Sequence, residues 1–205
     1  MAPGPKRPAR PGARGLFLGL TGGIGAGKSE ALRLLGELGA ATLSTDAVVH
    51  ELLQTDELRD EIVARLGPGV LGEGALDRAA IAARVFGDDE ARAWLEGVLW
   101  PRVGERVAAW RAGVGDDRVA VVEVPLLFEA GMEEVFDRTI AVVADEAVRE
   151  RRAAARGHAS VAERAGRQLP QSEKADRADY TVRNDGSLTE LRDSLSLLLA
   201  KLEEP

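Results

Sequence analysis

The sequence predicts an α/β fold, a parallel sheet flanked by helices with a helical insertion in the middle of the chain. Short apolar runs alternate with stretches of helical period from Leu16 to Leu202. The stretch Gly22-Gly23-Ile24-Gly25-Ala26-Gly27-Lys28-Ser29 fits the pattern G-x-x-x-x-G-K-[ST]. An apolar run precedes that stretch and an amphipathic run follows it, which is the strand, loop and helix order the pattern needs.

Leu16 to Leu20 is short and apolar enough for a buried strand. Glu30 to Leu38, with Leu32, Leu34, Leu35 and Leu38, reads as the helix behind the loop. Glycines let the backbone N–H groups of such a loop turn inward onto phosphate oxygens, and the helix adds the positive end of its dipole. Gly23, Ile24, Gly25, Ala26, Gly27, Lys28 and Ser29 are therefore candidates for binding a nucleotide's phosphates. Lys28 can reach the outer phosphates and the Ser29 hydroxyl can hold Mg2+. Of 27 basic residues only Lys6, Lys28, Lys174 and Lys201 are lysines. An Arg-rich chain thus places Lys where a compact point charge suits phosphate.

Ala40 to Leu43 is a short second strand, ending at Ser44-Thr45-Asp46, after which Ala47 to Leu53 is helical. Asp46 stands where ligands bind in open α/β sheets, at the carboxyl end of a strand. It equally suits a helix N-cap, and position alone does not choose between the two. Residues 55–112 read as helices only: one marked by Leu58, Ile62 and Leu66, one capped by Asp77, and one carrying Trp94 that meets Pro101. All three Trp lie here, at spacings that suit a core. Gly67-Pro68-Gly69 and Gly72-Glu73-Gly74 are turns.

Arg118 to Val124 is a central strand. Glu123 near its end can act on Mg2+ as the second metal-side carboxylate, or simply face solvent. Thr139 to Val143 is the fourth strand, and Asp145 caps the next helix. Arg149, Arg152 and Arg156 share a face of that helix, which points to phosphate contact. The polar stretch around 150–172 reads as a lid. Tyr180 to Arg183 is the fifth strand, Ser187 to Glu190 a capping box, and Leu188, Leu191, Leu195, Leu198 and Leu202 the apolar stripe of a last helix.

The domain reading is a basic, Pro- and Gly-rich arm over residues 1–14, a core over 15–54 and 116–205, and an insertion over 55–115. The net charge of −7 argues against a general nucleic-acid binder. No run of 18 apolar residues predicts a membrane helix, and the absence of Cys fits a cytoplasmic protein. No protein partner is indicated.

In order and over nearly its whole length the chain resembles the dephospho-CoA kinase family. Leu20 to Ser29, Thr45-Asp46-Ala47, Leu76-Asp77-Arg78, Val85-Phe86 and Val124-Pro125-Leu126-Leu127-Phe128-Glu129 carry the likeness. Arg152, Arg156, Arg164, Gln168, Lys174, Ala178-Asp179 and Asn184 follow in family order, while Ser44, His50, Trp100, Glu123 and Arg149 depart from the usual pattern. The resemblance implies a P-loop kinase fold with a five-stranded parallel sheet, a helical domain on the CoA side and a lid. It implies ATP and dephospho-CoA as substrates, Mg2+ as cofactor and phosphoryl transfer to a ribose 3′-hydroxyl. It implies Asp46 as catalytic base, Lys28 and Arg152 at the transferring group, and Arg149 and Arg156 in the lid. It also implies Asn184 at ATP, Ser29 and Glu123 at the metal, and Arg78, Leu126, Leu127 and Phe128 with Asp46 at the acceptor. A GTP-dependent switch is disfavoured, since no Asn-Lys-x-Asp motif occurs. Another small-molecule or nucleoside kinase, or a non-catalytic nucleotide binder, are the alternatives.

Overall fold

A computed structural model describes residues 15–155 and 168–203. The arm over residues 1–14, Arg156, Arg164 and Arg167 lie outside the described residues. The chain forms two units, one holding the described residues up to Ser44 and from Val114 onward, the other Thr45–Gly113.

The first unit is built on β1 (Phe17–Gly22), α1 (Lys28–Glu37), β2 (Ala41–Ser44), β5 (Ala120–Glu123), β6 (Arg138–Val143), α6 (Glu146–Ala155), α7 (Gln171–Arg177), β7 (Tyr180–Arg183) and α8 (Leu188–Glu203). Its sheet has the order β2-β5-β1-β6-β7, and every neighbouring pair is parallel. β1 runs on to Gly22, past the expected end at Leu20, because Thr21 and Gly22 pair with Ala141 and Val142 of β6.

Alternation along the strands assigns two faces. Leu18, Leu20, Val121, Ile140, Val142 and Val182 pack with Ala31, Leu35, Leu191 and Leu195 of α1 and α8. On the other face Gly19 leaves room for two side chains: a Cβ there would lie 2.6 Å from Leu127 Cδ1 and 2.7 Å from Phe136 Cδ2. α7 packs against β1 and β6. The sequence pattern assigns no element to residues 173–177, which follow the stretch read as a lid. They belong to this helix, which buries Lys174 completely.

The last helix confirms the capping box. The Ser187 amide donates to Glu190 Oε2 at 2.7 Å, and the Glu190 amide donates back to Ser187 Oγ at 3.3 Å. The Ser187 amide and hydroxyl, both donating to Glu190 Oε2, hold the Glu190 carboxyl below its ordinary range. Leu191, Leu195 and Leu198 are buried as expected, but Leu188 is exposed because it is the helix's first residue. Ser187→Ala removes the cap and should cost about 1 kcal/mol, read as a lower urea midpoint at unchanged slope.

The second unit holds α2 (Thr45–Leu52), α3 (Asp56–Leu66), a hairpin of β3 (Leu71–Gly72) and β4 (Ala75–Leu76), α4 (Arg78–Val85) and α5 (Asp89–Gly113). α2 was expected with the core, but it packs on α5 and belongs to this unit. The hairpin replaces the expected plain turn. Its two central residues, Glu73 and Gly74, both have positive φ, 51° and 86°, the twist a two-residue hairpin loop requires. Asp77 caps α4 as expected, accepting from the Ala79 amide at 2.8 Å. α5 runs on through Pro101, in line with the helical period of Val103, Val107 and Trp110 beyond it. Trp100 is 52 % exposed and Trp94 and Trp110 only half-buried, so the three Trp are not the core of this unit. Leu58, Ile62, Leu66, Val70 and Ile81 are buried instead.

Candidate active site

The chain leaves β1 at the carboxyl edge of the sheet and turns through Gly22–Gly27 into α1. Gly27 is the N-cap of α1 with φ 94°, a left-handed conformation that a side chain resists, and no side chain caps the helix. A Cβ on Gly27 would lie 2.1 Å from Asn184 Nδ2, so the residue must be Gly for space as well. The first N–H groups of α1 are thus donors for an anionic oxygen. Lys28 Nζ folds back over its own loop and donates to the carbonyls of Gly22 at 3.1 Å and Gly23 at 3.2 Å.

Ser29 Oγ donates to Glu123 Oε1 at 3.4 Å. Glu123 ends β5 in register with Leu20 of β1 and Ser44 of β2, and it is 4 % exposed. The solvent-facing alternative for Glu123 is therefore excluded. A hydroxyl and a carboxylate brought this close are hard oxygen donors of the kind Mg2+ takes, with its other positions left to water and phosphate.

α6 lies over the loop. Arg149 Nε donates to the Ile24 carbonyl at 2.8 Å, and a Cβ on Gly25 would meet the Arg149 carbonyl oxygen at 2.7 Å. Arg152 donates to the Asn184 carbonyl at 2.9 Å and reaches Asn184 Oδ1 at 3.4 Å. Asn184 Nδ2 in turn donates to the Ala26 carbonyl at 2.8 Å. The shared helical face of Arg149 and Arg152 thus meets the phosphate loop, directly for one and through Asn184 for the other. Asp145 takes the N-cap position of α6 through its carbonyl, while its carboxylate pairs with Arg183 at 3.3 Å. The Asp145 amide donates to Asp185, which with help from Arg183 and Arg152 keeps the Asp185 carboxyl below its ordinary range.

Gly23 to Ser29, Glu123, Arg149, Arg152 and Asn184 are therefore gathered in the first unit. Asp46 and Arg78 belong to the second unit and are exposed. Asp46 is the second residue of α2, inside its first turn rather than at the N-cap, so the capping alternative does not describe it. Leu126 is half-buried on the loop after β5, but Leu127 and Phe128 are 0 % and 3 % exposed. They were expected at the acceptor. Their side chains instead fill the core, Leu127 against β1 and Phe128 under the Arg177 guanidinium, 4.8 Å from its ring centre.

Two further residues near the loop make contacts with distant parts of the chain. Gln171 bonds Ala144 through both its amide groups, at 2.7 Å and 3.2 Å, and its Cβ lies against Gly23. Lys174 makes a buried ion pair with Glu129 at 2.9 Å. The rarity of Lys in this chain marked Lys174, but no local pattern marked Gln171.

A phosphate loop at the carboxyl edge of an all-parallel sheet of this order, with two arginines of one helix folded toward it, defines a P-loop kinase. The chain belongs to the dephospho-CoA kinase family, whose model matches residues 16–190. The dephospho-CoA kinase of Chromobacterium violaceum is 44 % identical over 85 % of this chain and 88 % of that protein. That of Deinococcus radiodurans is 39 % identical over 98 % of both. A crystal structure from Thermus thermophilus superposes with a TM-score of 0.78 at 35 % identity, covering 93 % of this chain and 99 % of that one. The Campylobacter jejuni dephospho-CoA kinase shares the fold, with a TM-score of 0.68 at 23 % identity over 91 % of this chain and 96 % of that one.

Proposed function

We propose that the protein transfers the γ-phosphoryl group of ATP to the ribose 3′-hydroxyl of dephospho-CoA, giving coenzyme A and ADP. The observation that carries this reading is the convergence of Lys28, the Ser29–Glu123 pair, Arg149 and the Arg152–Asn184 pair on one phosphate loop in a chain of this family. The backbone N–H groups of residues 23–29 hold the phosphate oxygens of ATP. Lys28 offsets charge on the outer phosphates as the bond to the leaving ADP breaks. Arg152 steadies the transferring group as an arginine supplied in cis, and Arg149 and Arg156 close over the nucleotide. Asn184 lines the nucleotide site and orients Arg152.

Ser29 and Glu123 would hold Mg2+. When bound, the ion would supply charge neutralisation to the phosphates of the nucleotide. Asp46 orients the acceptor hydroxyl and takes its proton. Arg78 and Leu126 serve the CoA side of the acceptor, and residues around 150–172 act as the lid. Among the described residues no helix is long and apolar enough to cross a membrane. We place the activity in the cytoplasm, with ATP and dephospho-CoA as partners and neither nucleic acid nor membrane required.

The direct test is ADP release across a panel of hydroxyl acceptors with the products weighed by mass spectrometry. Dephospho-CoA should be the preferred acceptor and gain one phosphate; preference for a nucleoside or sugar would overturn the assignment. The arginine face has its own test. Arg152→Ala should slow transfer by about 100-fold or more, as loss of such a finger does. Arg151, exposed and about 100° further round the helix, should tolerate the same change. Equal mild effects would reduce the face to a solvated one.

A further inference from the structure

We infer that Lys174, working with Thr21, is a positioning residue that pins the loop Pro125–Glu129 in the pose that receives the acceptor. This rests on the function proposed above and adds a role for a buried group outside the phosphate site. β5 ends at Glu123, and the Val124 amide makes one further sheet bond, to the Leu20 carbonyl at 2.8 Å. Pro125 has no N–H to continue the ladder. The chain is instead anchored through the Pro125 carbonyl, which accepts from Lys174 Nζ at 2.6 Å and from Thr21 Oγ1 at 3.3 Å. Thr21 is fully buried and directly precedes Gly22, where the phosphate loop begins.

Lys174 also holds the far end of the same loop, through its 2.9 Å pair with Glu129 Oε1. That oxygen accepts from the Leu169 amide at 2.8 Å as well. One ammonium thus bridges residues 125 and 129, and the half-buried Leu126 stands between them. The pair is poorly explained as a source of stability. Taking both charges out of water costs much of what their attraction returns, and buried pairs are often replaceable by neutral groups without loss. Glu129 Oε2 is buried with no hydrogen-bond partner among the described residues, a further cost. Burial also lowers the Lys174 pKa from its ordinary value, against the opposing pull of Glu129. What the pair does accomplish is geometric. It fixes both ends of a loop at the sheet edge where α/β ligands bind.

The test is the charge-neutral double variant Lys174→Met/Glu129→Gln, in which Gln still accepts from Leu169. Its first readout is hydrogen exchange, which does not depend on the substrate. Amides of Ala130, Gly131 and Met132, which donate to Leu126, Phe128 and Leu127, should exchange about ten-fold faster while β1 amides stay protected. The second readout is kinetic. kcat/KM for dephospho-CoA should fall about 10- to 100-fold, the loss expected of a displaced contact, while the affinity for ATP by calorimetry stays within about two-fold. Unchanged exchange, or an equal loss for ATP and acceptor, would overturn the inference. Should the double variant not fold, Thr21→Val decides. It removes the other donor to the Pro125 carbonyl, and exchange at the same amides must rise or the inference fails. A wild-type protein inert toward dephospho-CoA would sink the proposed function, and the exchange readout would still decide whether Lys174 pins the loop.

Discussion

Lys28→Ala should lower turnover by about 100-fold or more while leaving the thermal unfolding midpoint within a few degrees of wild type, since contacts that strengthen in the transition state are worth at least that much. The fold should survive for local reasons. Lys28 is the first residue of α1, where Ala is a good helix former, and its side chain bonds to carbonyls of its own loop. Arg should not rescue the activity. The ammonium sits within 3.2 Å of the carbonyls of both Gly22 and Gly23, a small space that suits a compact charge and not a planar fork. The check is steady-state ADP release at saturating ATP, with circular dichroism on the same sample. Retention of more than about a tenth of the rate would show that this loop does not hold the transferring phosphates.

Asp46→Asn should reduce coenzyme A formation by about 10²- to 10⁴-fold while ATP affinity stays near normal. A ribose hydroxyl is a poor nucleophile at neutral pH, and a carboxylate in reach of it can orient it and accept its proton. Because phosphoryl transfer passes through a loose transition state, much of that effect comes from orientation. Asp46 is exposed in the first turn of α2, so Asn keeps the shape and gives up only a favourable contact with the helix dipole, about 0.3–1 kcal/mol. Calorimetry with ATP and a coupled assay with dephospho-CoA make the pair of measurements. A near-normal rate would remove Asp46 from the chemistry. Joint loss of rate and ATP affinity would move it to the nucleotide and metal side.

The parts of the molecule legible in the sequence are those decided within one or two turns of chain. The phosphate loop is one, because glycine spacing and the following amphipathic run are local. The Ser187–Glu190 cap is another, since its partners are three residues apart. Helical period put Arg149 and Arg152 on one face, and the structure turns that face toward the loop. Where local rules compete with packing, the reading slipped. The polar run Gln171–Arg177 lacks an apolar stripe, so nothing in its pattern marked a helix that buries a lysine. The spacing of Trp94, Trp100 and Trp110 was helical as read, but period alone says which residues share a face and not whether that face is covered.

The sequence by itself determined the class of fold, the family, and the residue types at the phosphate loop, because these follow from order and spacing along the chain. Only the tertiary structure decided which distant residues complete the site. Ser29 meets Glu123 across 94 residues, and Asn184 reaches Ala26 across 158. Lys174 finds Pro125 49 residues away. Those meetings depend on the strand order β2-β5-β1-β6-β7, which brings the ends of β1, β5 and β7 to one edge. Strand order is set by how the helices cover both faces of the sheet at once. That is a property of the whole packed unit, and no window of sequence contains it.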